Sequence, residues 1–112
     1  MPELLLKIVR FVDDYQPGFV ACEFTDSNGY LHTIIDKVPT FTSDYLESTS
    51  SYPRAGAARC EVLESFRDDT GRALVRITID RPDGIESTQG VSEFLVLESQ
   101  VSNPGGGDSS AE

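Results

Sequence analysis

The stretch from Cys60 to Leu97 constrains the fold most, because it contains three strand-like runs in close succession. In the middle run, Arg72–Asp80, apolar side chains alternate with mostly charged or hydroxyl side chains. Such alternation is typical of a half-buried β-strand. The flanking runs, Cys60–Arg67 and Ser92–Leu97, are rich in branched and aromatic residues. We therefore predict three consecutive antiparallel strands.

The turn between the first two runs predicts their register. A three-residue loop, Asp69-Thr70-Gly71, with Gly71 in the left-handed region, forms a bulged hairpin turn. Its cross-strand pairs are Asp68 with Arg72, Glu64 with Arg76, and Leu63 with Ile77. Charge and burial both favour this register over one with a four-residue loop.

A second hairpin is predicted from Phe19 to Asp36, with Asn28-Gly29 as a two-residue turn. That turn sets Phe24 opposite Thr33 and Cys22 opposite Ile35 on the inner face, which Val20 and Leu31 extend. It places His32 and Ile34 on the other face, where His32 lies opposite Thr25 and is expected to have a structural role. A slip of one residue would invert the faces.

The first run, Leu4–Val12, is apolar on both sides, which favours a central strand or one curled into a barrel. We predict an all-β fold: a small closed or nearly closed antiparallel barrel of about six strands within one domain, residues 1–101. A short helical turn is expected near residues 42–47. Residues 102–112, which include three consecutive glycines, are expected to form a disordered tail.

Composition limits the classes of partner. The net charge of −10 disfavours binding to nucleic acid and favours a basic protein partner, if there is a partner. The apolar run near the N-terminus is too short for a signal peptide or a membrane span, so we expect a cytoplasmic protein that does not bind membranes. Cys22 and Cys60 are expected to be buried thiols, with a disulfide between neighbouring strands as the alternative.

Motifs for catalysis and metal binding are missing from the sequence. His32 is the single histidine, and no nucleophile motif accompanies it, so we expect no catalytic residue, cofactor or metal site. The loop Arg81–Gly90 is long for a hairpin connection and carries both charge signs, two hydroxyl groups and an amide. We predict a binding site made by this loop together with Tyr52 and Arg54. Its candidate residues are Tyr52, Arg54, Arg81, Asp83, Glu86, Ser87 and Thr88. The alternative is that Pro82-Asp83-Gly84 forms a turn and Ile85 packs into the core.

Several segments resemble a group of short bacterial proteins with no assigned function. They are Asp36-Lys37-Val38-Pro39, Tyr52-Pro53, Cys60-Glu61-Val62 and Gly84-Ile85-Glu86-Ser87. The strand order is more loosely similar to the β-barrel of domain 2 in translational GTPases of the elongation factor Tu type. This likeness implies a barrel and no residue role.

Three functions agree with these features. The first is a non-catalytic binding module, for example an immunity-type inhibitor whose acidic surface covers a basic toxin. The second is a small enzyme or ligand-binding barrel that uses residues 81–90. The third is a subunit that works only as a homo-oligomer through a sheet edge.

Overall fold

A computed structural model describes residues 1–15 and 17–103. These residues confirm the all-β class. The elements in chain order are β1 (Glu3–Asp13), β2 (Phe19–Thr25), β3 (Leu31–Lys37), a 3-10 turn (Val38–Thr40), β4 (Arg54–Arg59), β5 (Glu61–Arg67), β6 (Ala73–Thr78), β7 (Glu93–Leu97), a second 3-10 turn (Glu98–Gln100) and the two-residue strand β8 (Val101–Ser102). No helix in the described residues is long and apolar enough to cross a membrane.

The strands form two antiparallel sheets. Sheet A has the order β3-β2-β1-β4, and β8 also pairs with β1; sheet B has the order β5-β6-β7. Neither sheet closes on itself in the described residues, so the predicted barrel is not confirmed. One residue, Cys60, separates β4 from β5, and therefore the chain passes from one sheet to the other at a sharp corner.

Strand β1 is central in sheet A, as expected, but it buries one face only. Leu4, Leu6 and Ile8 are buried, whereas Leu5 is 45% exposed. A bulge between Ile8 and Arg10 then shifts the pattern, so that Phe11 packs against the core. The apolar residues on both sides of the sequence pattern thus reflect a bulged strand with one face in solvent.

The predicted register of the β2–β3 hairpin is wrong by one residue. Phe24 lies opposite His32, and Cys22 lies opposite Ile34, so His32 and Ile34 belong to the inner face. The cause is a longer turn from Asp26 to Tyr30, in which the Asp26 N–H donates to the Tyr30 carbonyl (2.9 Å). The Asp26 carboxylate accepts from the N–H groups of Asn28 and Tyr30 and stabilises this turn.

The β5–β6 hairpin follows the predicted three-residue loop. The Gly71 N–H donates to the Asp68 carbonyl (2.9 Å), and Glu64 pairs with Arg76. The expected pair of Leu63 with Ile77 is wrong, because a bulge between Val62 and Glu64 leaves Val62 opposite Ile77.

Three turns of the chain share one design. Each begins with a residue whose side-chain oxygen accepts two backbone N–H bonds within the turn, and each has a glycine with positive φ three residues later. They begin at Asp26, Asp68 and Ser87, and their glycines are Gly29, Gly71 and Gly90. The glycine supplies the left-handed conformation that the bulged turn requires.

The segment between β3 and β4 differs from the prediction. Its helical turn is at Val38–Thr40 rather than at 42–47, because Pro39 occupies the first turn, where its lack of an N–H costs nothing. Thr42 Oγ1 instead accepts from the Asp44 N–H (3.1 Å) in a local turn. Strand β4 was not predicted, since its Ala- and Gly-rich sequence has low β propensity.

Side chains from both sheets meet in one core. Its fully buried members include Leu4, Ile8, Val20 and Ile34 from sheet A, and Ile77 and Val96 from sheet B. Cys22 and Cys60 are buried and free, which confirms the expected thiols. Ser102, the first residue of the predicted tail, pairs with Glu3 in β8. The tail prediction otherwise concerns residues that, from 104 onward, lie outside the described part of the chain.

Candidate functional site

Three of the binding residues predicted from the sequence line cavities of the described chain, and they lie in two different ones. Arg54 lines a shallow depression with Lys7 and Pro53, whereas Ser87 and Thr88 line a small cleft beside His32. The structure therefore does not gather these residues around one cavity.

Near Tyr52, the polar side chains are engaged with their own segment. The Tyr52 hydroxyl donates to the Glu47 carbonyl (2.8 Å), and Arg54 forms an ion pair with Asp44 (2.9 Å). Tyr52 also packs against the core. These contacts hold residues 41–53 over β4, which accounts for both residues without a ligand.

The loop Arg81–Gly90 is likewise well explained by contacts within the chain. Ile85 is buried, as the packing alternative predicted, and the Gly84 N–H donates to the Asp80 carbonyl (2.8 Å). The buried Ser87 hydroxyl accepts two N–H bonds in its turn. The Thr88 N–H donates to the Thr33 carbonyl (2.8 Å) and so attaches the loop to the edge of β3.

Ion pairs attach the beginning of this loop to β4 and β5. Arg59 binds Asp83 through two nitrogens, and Arg81 binds Glu61 (2.6 Å). Each carboxylate raises the pKa of its arginine by hydrogen bonding. Glu86 is exposed, and the described residues provide no ion-pair partner for it. Among the charged side chains of the predicted site, Glu86 is therefore the one that packing explains least.

His32 belongs to an aromatic cluster that joins the two sheets. Its ring centroid lies 5.3 Å from that of Phe24 and 4.7 Å from that of Phe94. His32 Nε2 donates to Asp26 Oδ2 (2.8 Å). Burial opposes ionisation of Asp26, but hydrogen bonds from His32 and from the N–H groups of Tyr30 and Asn28 outweigh it and lower the pKa of this carboxyl. The pair is thus a structural link between turn and core.

A shallow groove of about 400 Å³ lies on the outer side of sheet A. It opens where β2 leaves β1: the last β2 pair is Lys7 with Glu23, and β8 pairs only with Glu3 and Leu4. Leu5 and Leu6 therefore have no strand partner on that side of β1 in the described residues.

The groove has an apolar floor and rim with polar groups at its margin. Phe24 and Leu6 are buried beneath it, while Leu5 and Leu31 are 45% and 60% exposed. Gln100 is held at both ends of its amide: Nε2 donates to the Thr25 carbonyl (2.8 Å), and Oε1 accepts from the Leu97 N–H (2.9 Å). The wall at Gln100 is consequently well fixed.

This groove was not predicted from the sequence. The slipped β2–β3 register placed Leu31 inside, whereas Leu31 lies opposite Thr25 on the outer face. The sequence did contain one signal for the groove. The β1 run is apolar on both faces, so its second face must either be covered by another layer of the protein or leave leucines exposed.

The basic side chains are largely neutralised within the molecule. Arg54, Arg59, Arg72, Arg76 and Arg81 each form an ion pair with a carboxylate. The basic side chains outside these pairs are Lys7, Arg10, Lys37 and Arg67. The carboxylate excess of the chain therefore dominates its surface field.

No cluster of three or more potential metal-binding side chains occurs in the described residues. No protein-family model, curated protein or solved structure matches this chain.

Proposed function

We propose that this protein is a non-catalytic binding module that uses the groove between β1 and β2 to hold an apolar side chain of a protein partner. The observation that carries the proposal is that this groove is bordered by two leucines, Leu5 and Leu31, that are about half exposed. Exposed apolar residues grouped around a concavity are typical of interaction sites.

The charge of the chain indicates the chemistry of that partner. A net charge of −10, with five arginines already neutralised by internal ion pairs, attracts basic proteins and accelerates their association. At the groove itself Lys7 lies opposite Glu23 and balances it locally. We infer that apolar contact provides the anchor and that the acidic surface around it selects a basic partner.

An immunity-type inhibitor is one specific form of this function. Such a protein covers the active site of a basic toxin, and it needs an acidic, well-ordered surface more than it needs chemistry of its own. The function as a small enzyme or ligand-binding protein has less support, because Arg81, Asp83 and Ser87 of the 81–90 loop are engaged in ion pairs and a turn.

Affinity capture from the native host with matched variants tests the proposal. Leu31→Asp places a charge on the rim of the groove, and Tyr45→Asp introduces the same charge at a 79% exposed apolar residue outside it. We expect the wild type and Tyr45→Asp to capture the same basic protein, and Leu31→Asp to lose it at least tenfold.

Binding of the purified partner should also weaken steeply between 50 and 300 mM salt, by roughly tenfold or more, because the acidic surface contributes through long-range attraction. Equal capture by Leu31→Asp and Tyr45→Asp would contradict the role of the groove. A captured partner with an acidic surface would contradict the charge argument.

A further inference from the structure

Strand β5 differs from every other strand of the described chain because all of its residues are exposed. It forms one edge of sheet B and pairs with β6 on its other side. Val62, Leu63 and Phe66 are 38–40% exposed along it. An edge strand with unpaired backbone groups and apolar side chains is a template for another strand.

The other sheet edges are at least partly covered. The Ala57 N–H of β4 donates to the Phe41 carbonyl, Thr33 of β3 accepts from Thr88, and Leu95 of β7 accepts from the Ser27 N–H, at 2.8–3.0 Å. No such backbone bond reaches β5 from outside its own hairpin in the described residues. The β5 edge is therefore the one left open.

Half of β5 is regular enough to accept a strand. The bulge at Leu63 disrupts the N-terminal part, as bulges often do on protected edges. From Glu64 to Arg67 the pairing with β6 is continuous. On the outer face of this half, Phe66 lies opposite Leu74, which in turn lies opposite Leu97 of β7, so an apolar row runs across the sheet to its edge.

Local charge favours a second copy of this chain as the occupant of the edge. Two molecules of net charge −10 repel each other, and that repulsion is smallest where acids are neutralised. Along β5 and its turn this is the case: Glu61 pairs with Arg81, Glu64 with Arg76 and Asp68 with Arg72. A basic partner would find little uncompensated acidic charge at this edge.

We propose that the protein forms a symmetric dimer through antiparallel pairing of β5 with β5 of a second copy, with Phe66 opposite Phe66. Opposite residues of an antiparallel pair lie on the same face of the sheet, whereas neighbouring residues of one strand lie on opposite faces. The two-fold axis must therefore pass where a residue meets its own copy, which leaves only a few positions in β5. Centring on Phe66 makes an aromatic pair and sets Ser65 opposite Arg67, and Glu64 opposite Asp68, each acid keeping its own arginine. Centring on Ser65 would instead set Glu64 opposite Phe66 and Arg67 opposite Leu63.

The dimer would join two three-stranded sheets into one of six strands and would make the apolar row continuous through both copies. This inference is independent of the groove, which belongs to sheet A.

Sedimentation velocity of the full chain at 5–500 μM tests the association. We expect the mass to rise with concentration from 12.3 kDa to twice that value. Phe66→Glu should keep the mass at that of the monomer throughout, because it sets two carboxylates against each other at the symmetry axis. Leu31→Glu, the matched control on the groove, should dimerise like the wild type, and circular dichroism verifies that both variants are folded.

Disulfide trapping tests the register. Under mild oxidation we expect Phe66→Cys to give at least five times more covalent dimer than Ser65→Cys, since Cβ atoms directly opposite are within reach of a disulfide. The native Cys22 and Cys60 are buried and do not compete. A wild type that stays monomeric at 500 μM, a Leu31→Glu variant that dissociates, or preferential trapping of Ser65→Cys would each overturn the proposal.

Discussion

The carboxylate of Asp26 links the β2–β3 turn to the aromatic cluster around His32. Asp26 is an ordinary turn aspartate by sequence, yet its carboxylate accepts two backbone N–H bonds and a bond from His32. Those bonds lengthen the hairpin turn and decide which face of β3 is buried. His32 was predicted to be structural, and its aromatic contacts explain that role, although the predicted neighbour, Thr25, is replaced by Phe24.

Replacement of Asp26 by Asn should lower the stability at pH 7 by about 1–2 kcal/mol, because the N–H groups of Asn28 and Tyr30 and the His32 ring then meet a neutral amide instead of a carboxylate. The pKa of Asp26 is lowered in the folded state, so its stabilisation is present above its unfolded pKa of about 3.9 and is lost as the pH falls through the folded value. Urea denaturation at pH 7 and pH 3 should therefore show a smaller pH dependence for Asp26→Asn than for the wild type.

Asp69→Asn is the control for that experiment. Asp69 lies exposed in the β5–β6 turn, which has the same design, and its side chain makes no hydrogen bond with the described residues. Its stability should stay within about 0.5 kcal/mol of the wild type at both pH values. Equal pH dependence of Asp26→Asn and the wild type would show that the carboxylate is not held as described.

At the scale of elements, turns and bulges account for the differences between prediction and structure. The β5–β6 turn was predicted correctly because charge pairs on both strands select one register. The β2–β3 turn has the same geometry, but Asn-Gly also favours a shorter turn, and the flanking residues carry no charge pattern that discriminates. Bulges at Val9 and Leu63 leave no distinct trace in a sequence of apolar residues.

Two glycine substitutions separate turn strain from packing. A Cβ on Gly56 of β4 would lie 2.8 Å from Ile8 Cγ1, and Ile8 is fully buried, so Gly56→Ala should destabilise the fold by about 1–3 kcal/mol. Gly71 has φ +86° with open space around it, so Gly71→Ala should cost about 1 kcal/mol from backbone conformation alone.

Thermal or urea denaturation of both variants measures the difference, with Gly29→Ala as a second turn position of the same kind, φ +87°. The two turn variants should agree within about 0.5 kcal/mol, because the local strain is alike. If Gly56→Ala proves no less stable than Gly71→Ala, the close approach of β4 to Ile8 is not rigid.

At the scale of the whole molecule, one core joins the two sheets, and the two buried cysteines lie at different positions in the fold. Cys22 lies on β2, and Cys60 lies at the corner between sheets A and B. Burial, with a smaller contribution from Asp36, raises the pKa of Cys22 to about 12. Burial, with a smaller contribution from Glu3, raises the pKa of Cys60 to about 11.

Both thiols should consequently resist labelling by a disulfide reagent at pH 8 in the folded protein and react completely in 6 M guanidinium. The folded protein should react at least 100-fold more slowly, since the thiolate is scarce and access requires opening of the core. Equal rates for Cys22→Ala and Cys60→Ala variants are expected if the sheets open together. Fast reaction of Cys60 alone would show that the corner opens without the core.

The sequence by itself determined the all-β class, the β5–β6 turn with the pairing next to it, the buried thiols and the net negative charge, because local alternation, turn residues and charge are all present along the chain. The tertiary structure alone decided that the two sheets stay open, that β4 forms, that His32 turns inward and that Leu5 and Leu31 border a groove. Those features depend on which strands meet across the core, and a single shifted turn or bulge changes them without altering the pattern of apolar residues. The 81–90 loop shows the same division: its unusual composition is visible in the sequence, while the contacts that account for most of it come from β3, β4 and β5.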